Sequence, residues 1–219
     1  MAQIYPSLMA ANIDDLANLI TKLDPYCAGY HLDIMDEKFV PNSALDIKTV
    51  NMIARSTYKK IWVQLLVEDP QAWLEKLFLP ADSIVSFHIE SKGEIMRTIK
   101  LIQEKEWIPS IAVNPKTSVD EVFTYLNILG QVLIMSVPPG YSGQPFMKST
   151  IKKVDQIVSY RQTANLNLKI GMDGGINKNN IVMLKENGID DFSIGSGIFD
   201  SDDPIKTLKE LNALIDEEK

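Results

Sequence analysis

Three clusters in this sequence carry side chains able to move protons or hold anions. The first is His31-Leu-Asp33-Ile-Met35-Asp36. On an extended strand alternate residues share a face, so His31, Asp33 and Met35 would point one way and Leu32 and Ile34 the other. With the apolar pair packed under helices, an imidazole and a carboxylate face an interior, where a charge is costly unless paired or bound to a metal. Two readings follow: a buried structural His–Asp pair, or a pair that does acid–base or metal chemistry. The second cluster, Gly171-Met-Asp173-Gly174-Gly175, adds another carboxylate followed by two glycines, and the third is Gly195-Ser196-Gly197. Backbone N–H groups with no side chain in the way can converge on an anion such as phosphate, although glycines also serve ordinary turns. A further stretch, Met135-Ser-Val-Pro-Pro-Gly140-Tyr-Ser-Gly143-Gln144-Pro-Phe146, is too rich in Pro and Gly for a helix. It is long enough for a lid, or it is simply a long turn.

Something must hold these clusters at one place. Short apolar runs rich in β-branched residues predict strands at Ile4–Ser7, Tyr30–Met35, Lys60–Val67, Ser83–His88, Trp107–Val113, Gln131–Val137, Lys169–Asp173 and Asp191–Gly195. Between them lie helical stripes, among them Ile13, Leu16, Ile20 and Leu23, then Ile95, Ile99 and Ile102, and later Ile205, Leu208 and Ile215. Ser118-Val-Asp-Glu121 reads as a capping box opening the fifth helix, and Asn187-Gly188 as the end of the seventh. Eight strand–helix units without a linker predict one (β/α)8 barrel over residues 1–219, with a doubly wound sheet as the alternative. The barrel is preferred because the polar clusters fall at the C-terminal ends of strands, where barrel enzymes place their chemistry, and because loops after strands seven and eight commonly form a phosphate site.

Composition narrows the partners. With 45% hydrophobic and 23% charged residues the chain matches a soluble globular protein. The 22 Lys and Arg against 29 Asp and Glu give a net charge of −7, which repels a phosphate backbone, so nucleic acid is not expected as a partner. No apolar run suits a membrane span, and the one cysteine, Cys27, reads as a small buried residue. Met1 to Pro6 lacks the basic and apolar stretches of a secretory leader, so the cytoplasm is the expected location.

The motifs together resemble the ribulose-phosphate 3-epimerase family. The likeness is carried by Pro6-Ser7-Leu8, by His31-Leu-Asp33-Ile-Met35-Asp36 with Phe39-Val-Pro-Asn42, by Val113-Asn-Pro115, by Met135-Ser-Val with Pro139-Gly140 and Gly143-Gln144, and by Asp173-Gly-Gly175 and Gly195-Ser196, in the family's order. It implies a TIM barrel of the ribulose-phosphate-binding type and an isomerase of carbohydrate metabolism. That isomerase would epimerise C3 of a ketose phosphate, either the ribulose 5-phosphate and xylulose 5-phosphate pair of the pentose phosphate pathway or a hexulose 6-phosphate. By the same resemblance Asp33 and Asp173 are the acid–base pair. A divalent metal (Zn, Mn or Fe) held by His31, Asp33 and Asp173 stabilises the enediolate. Ser7 bonds the sugar, Met35 and Met135 cap the reacting carbons, Gly143 belongs to the lid, and Gly174, Gly175, Gly195 and Ser196 hold the phosphate. A homo-oligomer is expected.

The departures from the family pattern fall next to these residues. Strand three reads Trp62-Val-Gln64-Leu-Leu66, with Gln64 in place of a fourth metal ligand, a histidine, and Leu66 in place of a methionine. A carboxamide is a poor substitute for imidazole toward zinc or iron, so the metal is expected to be weakly bound, with Gln64 offering the substrate an oxygen or an N–H. His88, in Ser86-Phe-His88-Ile-Glu90, matches a family histidine outside the metal set. Glu37 and Lys38 replace Gly-His, and Pro138 replaces an asparagine. The alternative these changes leave is a sugar-phosphate-binding barrel with weakened or lost epimerase activity.

Overall fold

The computed structural model describes residues 1–12 and 16–216; Ile13, which the sequence places on the first helical stripe, lies outside them. Strands β1 (Gln3–Pro6), β2 (Gly29–Met35), β3 (Lys60–Leu66), β4 (Ile84–His88), β5 (Ile108–Val113), β6 (Gln131–Met135), β7 (Lys169–Asp173) and β8 (Asp191–Ile194) form one parallel sheet. Helices α1 (Leu16–Leu23), α2 (Ile47–Ser56), α3 (Pro70–Leu74), α4 (Ile95–Glu104), α5 (Ile151–Thr163) and α6 (Ile181–Glu186) alternate with the strands, and α7 (Ser196–Phe199) and α8 (Pro204–Asp216) follow β8. Neighbouring strands pair in sequence order from β2 round to β8, and β8 pairs with β1. The ring closes between β1 and β2 through a bridge of Ser7 to His31 and the Ala28 N–H on the Ile4 carbonyl at 3.0 Å. This is the (β/α)8 TIM barrel expected of eight strand–helix units, and every expected strand is present within two residues of its expected ends.

Alternation along the strands makes two apolar layers. Leu32 and Ile34 of β2 and Val63 and Leu65 of β3 are wholly buried against the helices, where α1 contributes Leu16, Ile20 and Leu23 and α4 contributes Ile99 and Ile102. Inside the ring Tyr5, Trp62, Ile84, Ala112, Leu133 and Met135 form a second cluster, with the Tyr5 and Trp62 rings edge to face at 5.3 Å. Beneath it, at the N-terminal ends of the strands, the buried Asp191 carboxylate accepts from Gln131 Nε2 at 2.8 Å and from Lys169 Nζ at 2.9 Å. Ser110 Oγ donates to Gln131 Oε1 at 3.0 Å. One end of the barrel is thus plugged, and its chemistry is left to the other.

The fifth helix differs from expectation. Residues Val119–Tyr125 form a 3-10 helix, and the Ser118 hydroxyl accepts from the Asp120 N–H at 3.3 Å. Val119, Val122, Phe123, Thr124 and Tyr125 are β-branched or aromatic and lose rotamer freedom in an α-helix, so the segment settles for the tighter turn that still buries Val119 and Val122. Strand β6 also stops two residues early. There Ser136 turns to donate its backbone N–H and its hydroxyl to the Asp173 carbonyl, each at 2.8 Å, and its hydroxyl also reaches the Gly174 carbonyl.

Candidate active site

A cleft opens at the C-terminal ends of the strands. Its walls include Ser7, Asp33, Met35, Met135, Gly143, Asp173, Gly174, Gly175, Gly195 and Ser196, so the structure brings together every sequence-derived site residue except His31 and Gln64. Those two are wholly buried and do not line it. His31 sits one pleat deeper than Asp33 on β2, and Gln64 is Asp33's register partner on β3. Gln64, expected to offer the substrate an oxygen or an N–H, lies in this structure behind the wall, where closely packed neighbours cover it.

Asp33 is held from two strands. Ser7 Oγ donates to its Oδ2 at 3.1 Å, and Nδ1 of His31 lies 3.4 Å from the same oxygen. The His31 ring stands edge-on to Trp62 at 4.8 Å, and neither ring nitrogen has a hydrogen-bond partner. Burial works against charge on this ring, but Asp33 and then Asp173 outweigh it and raise its pKa. Asp173 ends β7 beside Ser193 of β8. Burial pushes its carboxyl above the usual carboxylate range; His31 opposes the rise and Asp33 adds to it. Around the ring, β2 and β7 are separated by β1 and β8, so the two carboxylates reach the cleft from different sides.

The glycines after β7 leave no room for side chains. Gly174 and Gly175 have φ of +112° and +62°, and a Cβ on Gly175 would lie 2.5 Å from the Phe146 backbone nitrogen. The long stretch after β6 folds over the cleft with Pro139, Gly140, Tyr141, Ser142 and Gln144 against it. Gln144 Nε2 staples this loop to its own carbonyls, Pro138 at 2.7 Å and Tyr141 at 3.0 Å, and Asn42 Nδ2 ties it to the loop after β2 by donating to the Gly140 carbonyl at 2.7 Å. Asp36, the last residue of the first cluster, builds the scaffold. Burial disfavours its charge, yet the N–H groups of Glu68, Phe39 and Lys38 hold its pKa below the usual range.

Sequence reasoning missed Ser193 as a cleft residue and placed Tyr141 only within the Pro- and Gly-rich stretch after strand six. Ser193 was accessible to it, since it lies two before Gly195 and alternation puts it on the inward face; nothing in the local pattern singles out Tyr141. The resemblance implied a metal on His31, Asp33 and Asp173. The unpartnered ring nitrogens of His31 suit such a role. Yet among the described residues no three His, Cys, Asp or Glu side chains are gathered as a metal-holding group, and the facing position on β3 carries an amide whose nitrogen is turned to His88 and Met135. This donor set does not fit a tightly held divalent ion.

A family model described as the ribulose-phosphate 3 epimerase family matches residues 3–199. The ribulose-phosphate 3-epimerase of Aquifex aeolicus (strain VF5) is 34% identical over 185 residues, covering 84% of this chain and 83% of that protein. The one from Bacillus subtilis (strain 168) is 29% identical over 213 residues, covering 96% and 98%. Among solved structures, KGPDC from Streptococcus mutans superposes with a TM-score of 0.72 at 10% identity, covering 99% of this chain and 98% of that one. The tryptophan synthase A-subunit of Pyrococcus furiosus gives 0.66 at 13%, covering 97% and 100%. These two likenesses establish the barrel alone. Among the described residues no helix is long and apolar enough to cross a membrane. With the family model spanning nearly all of the barrel and the cleft residues in the family's order, the chain belongs to the ribulose-phosphate 3-epimerase family, a family of isomerases.

Proposed function

We propose that this chain interconverts the C3 epimers of a pentulose 5-phosphate, ribulose 5-phosphate and xylulose 5-phosphate, by a two-aspartate mechanism. The observation that carries the reading is the placement of Asp33 and Asp173 on strands separated by two others, with both lining one cleft whose rim is glycine-rich. Inverting a carbon needs one group to take the C3 proton and a second to return a proton from the opposite face, because a single base hands the proton back where it found it. Burial and the Asp33 charge favour the protonated form of Asp173, which equips it to donate while Asp33, steadied by Ser7, accepts. His31 lies behind Asp33 with Nδ1 3.4 Å from Oδ2; burial opposes charge on this ring, while the aspartates draw positive charge toward it beneath the cleft. The ends of β7 and β8, with Gly174, Gly175, Gly195 and Ser196, receive the phosphate on backbone N–H groups. The family uses a divalent metal; because the donors here do not fit a tight site, no step above passes through one.

The test is C3 proton exchange in D2O, followed by NMR across pentulose 5-phosphates and hexulose 6-phosphates, with and without added divalent ions. The expected result is exchange with inversion for the pentulose pair, from protein whose metal content after purification without chelator is well below stoichiometric. No exchange with any member of the panel would sink the reading. A second reading, a barrel that binds sugar phosphate without turning it over, draws on Gln64 and is separated by the same samples: binding with no exchange.

A further inference from the structure

The lid between β6 and α5 crosses the cleft from β7 to the loop after β2, and its two attachments differ in kind. On the β7 side it is bonded at its root. Ser136 gives its N–H and its hydroxyl to the Asp173 carbonyl, each at 2.8 Å, and the Met147 N–H closes the stem on the Ser136 carbonyl at 3.0 Å. Phe146 packs on the main core, and the Phe146 nitrogen and Gln144 carbonyl lie so near Gly175 that a Cβ there would sit 2.5 Å and 2.9 Å from them. On the β2 side the lid is held through side chains. Asn42 Nδ2 donates to the Gly140 carbonyl at 2.7 Å, and the exposed Tyr141 gives its hydroxyl to the Pro41 carbonyl at 3.4 Å.

The partner loop is stiff, and its amide is aimed. Asp36 takes the N–H groups of Phe39 at 2.9 Å and Glu68 at 2.7 Å, which fixes the start of Phe39-Val-Pro-Asn42, and the Asn42 N–H turns back on the Val40 carbonyl at 2.9 Å. Asn42 Oδ1 accepts from the Ser43 N–H at 2.9 Å, so the amide meets the lid with its nitrogen, the end a carbonyl can accept from. Gly140 arrives at φ +112°, where a Cβ would sit 3.2 Å from that of Val40, so lid and loop approach closely. Within the lid, Gln144 Nε2 bonds the Pro138 and Tyr141 carbonyls, so the flap keeps its own shape. Phe39, Val40, Pro41 and Asn42 stand outside the cleft wall, and their work is therefore on the lid and not on the substrate.

A ligand enters such a cleft only when one side of the roof lifts. Parting the root would break backbone bonds to the end of β7 and drag on Asp173, whereas parting the two side-chain bonds on the β2 side leaves both aspartates where they are. We propose that the lid is hinged on β7 and opens over the loop after β2, and that Asn42 is the positioning residue that holds it shut. One neutral hydrogen bond of this kind biases the lid toward closure about fivefold to tenfold. The consequence for turnover rests on the epimerase reading; the direction of opening does not.

Asn42→Asp is the decisive variant, because it keeps the shape and the Ser43 contact but sets an acceptor against the Gly140 carbonyl. Full-length protein is labelled with 3-fluorotyrosine at position 141 or with 4-fluorophenylalanine at position 146, and 19F spectra are taken without substrate. In Asn42→Asp the signal from position 141 is expected to move toward that of free fluorotyrosine, while the signal from position 146, at the hinge, stays where it is in the wild type. In turnover, Asn42→Asp is expected to raise KM about tenfold with kcat unchanged within about twofold, because Asn42 does not line the cleft. Should that variant fold poorly, Asn42→Ala adds no charge and is expected to raise KM about fivefold. A signal from position 141 that stays put in both variants overturns the proposal, as does one from position 146 that moves with it, or a loss of kcat at constant KM. If the wild type turns over no substrate, the epimerase reading fails, and the fluorine signals still decide where the lid opens.

Discussion

Asp33 and Asp173 are the same residue in different surroundings, and the difference divides their work. Asp33 has a hydroxyl and an imidazole on one oxygen, whereas Asp173 closes a strand in a spot where burial favours its neutral form. Asp33→Asn and Asp173→Asn preserve shape while removing a carboxyl that can give or take a proton, so each is expected to cut epimerisation by about 10²- to 10⁴-fold. One of them should still wash deuterium into C3 of a single epimer without inverting it, and wild-type-like inversion in either would end the two-base account. Gly195 offers a separate test of phosphate binding. Its backbone, φ −96° and ψ −93°, lies outside the usual helical and extended regions, and a Cβ there would lie 3.1 Å from Ala10 Cβ and 3.5 Å from Ser142 Oγ, so a methyl group crowds this wall. Gly195→Ala is expected to raise KM for the phosphorylated ketose about tenfold, read by steady-state kinetics against the unphosphorylated sugar, with circular dichroism and a urea titration confirming that the variant stays folded. A KM unmoved by the methyl group would place the phosphate elsewhere.

At the scale of elements, the strands carry two opposite ends for two purposes. The N-terminal ends of β6, β7 and β8 are locked by Gln131, Lys169 and Asp191, a satisfied network distant from the cleft. Removing its acceptor leaves the buried Gln131 N–H without a partner, while Lys169 Nζ, half-exposed, keeps Gln3 Oε1 at 3.1 Å, so Asp191→Ala is expected to lower unfolding free energy by about 2 kcal/mol in urea titrations. KM and kcat of the folded fraction should not move; a kinetic defect equal to that of the aspartate pair would show that the two ends are not separate. The C-terminal ends instead carry loops that hold one another, as Asn42 holds the Gly140 carbonyl and Ser136 holds the end of β7. These ties span long stretches of sequence, and no local pattern announces them.

For the molecule as a whole, what could be read in the sequence follows from the length scale of each signal. Strand position and face were legible because alternation is local: Leu32 and Ile34 outward against His31 and Asp33 inward is visible in four letters, and the same rule would have found Ser193. The fifth helix was misread because its cap signal at Ser118 is local too, while the tertiary fit of Val119 and Val122 chose a tighter turn. Gln64 was placed against the substrate because the family resemblance implies a metal ligand at its strand position, whereas its burial depends on three strands packing at once. The seam between β1 and β2 carries one more lesson, about time. That junction is thinly zipped, so β1 relies on its ladder to β8, which pairs Gln3–Pro6 with Asp191–Ile194. On a ribosome adding 5 to 20 residues per second, the first strand waits roughly 10 to 40 s for its partner to be made. Ser7 and Ser196 lie just past these two strands, so the cleft closes only once β8 has been made, and a nascent chain stalled before β8 carries both aspartates but lacks the Gly195–Ser196 wall that faces them.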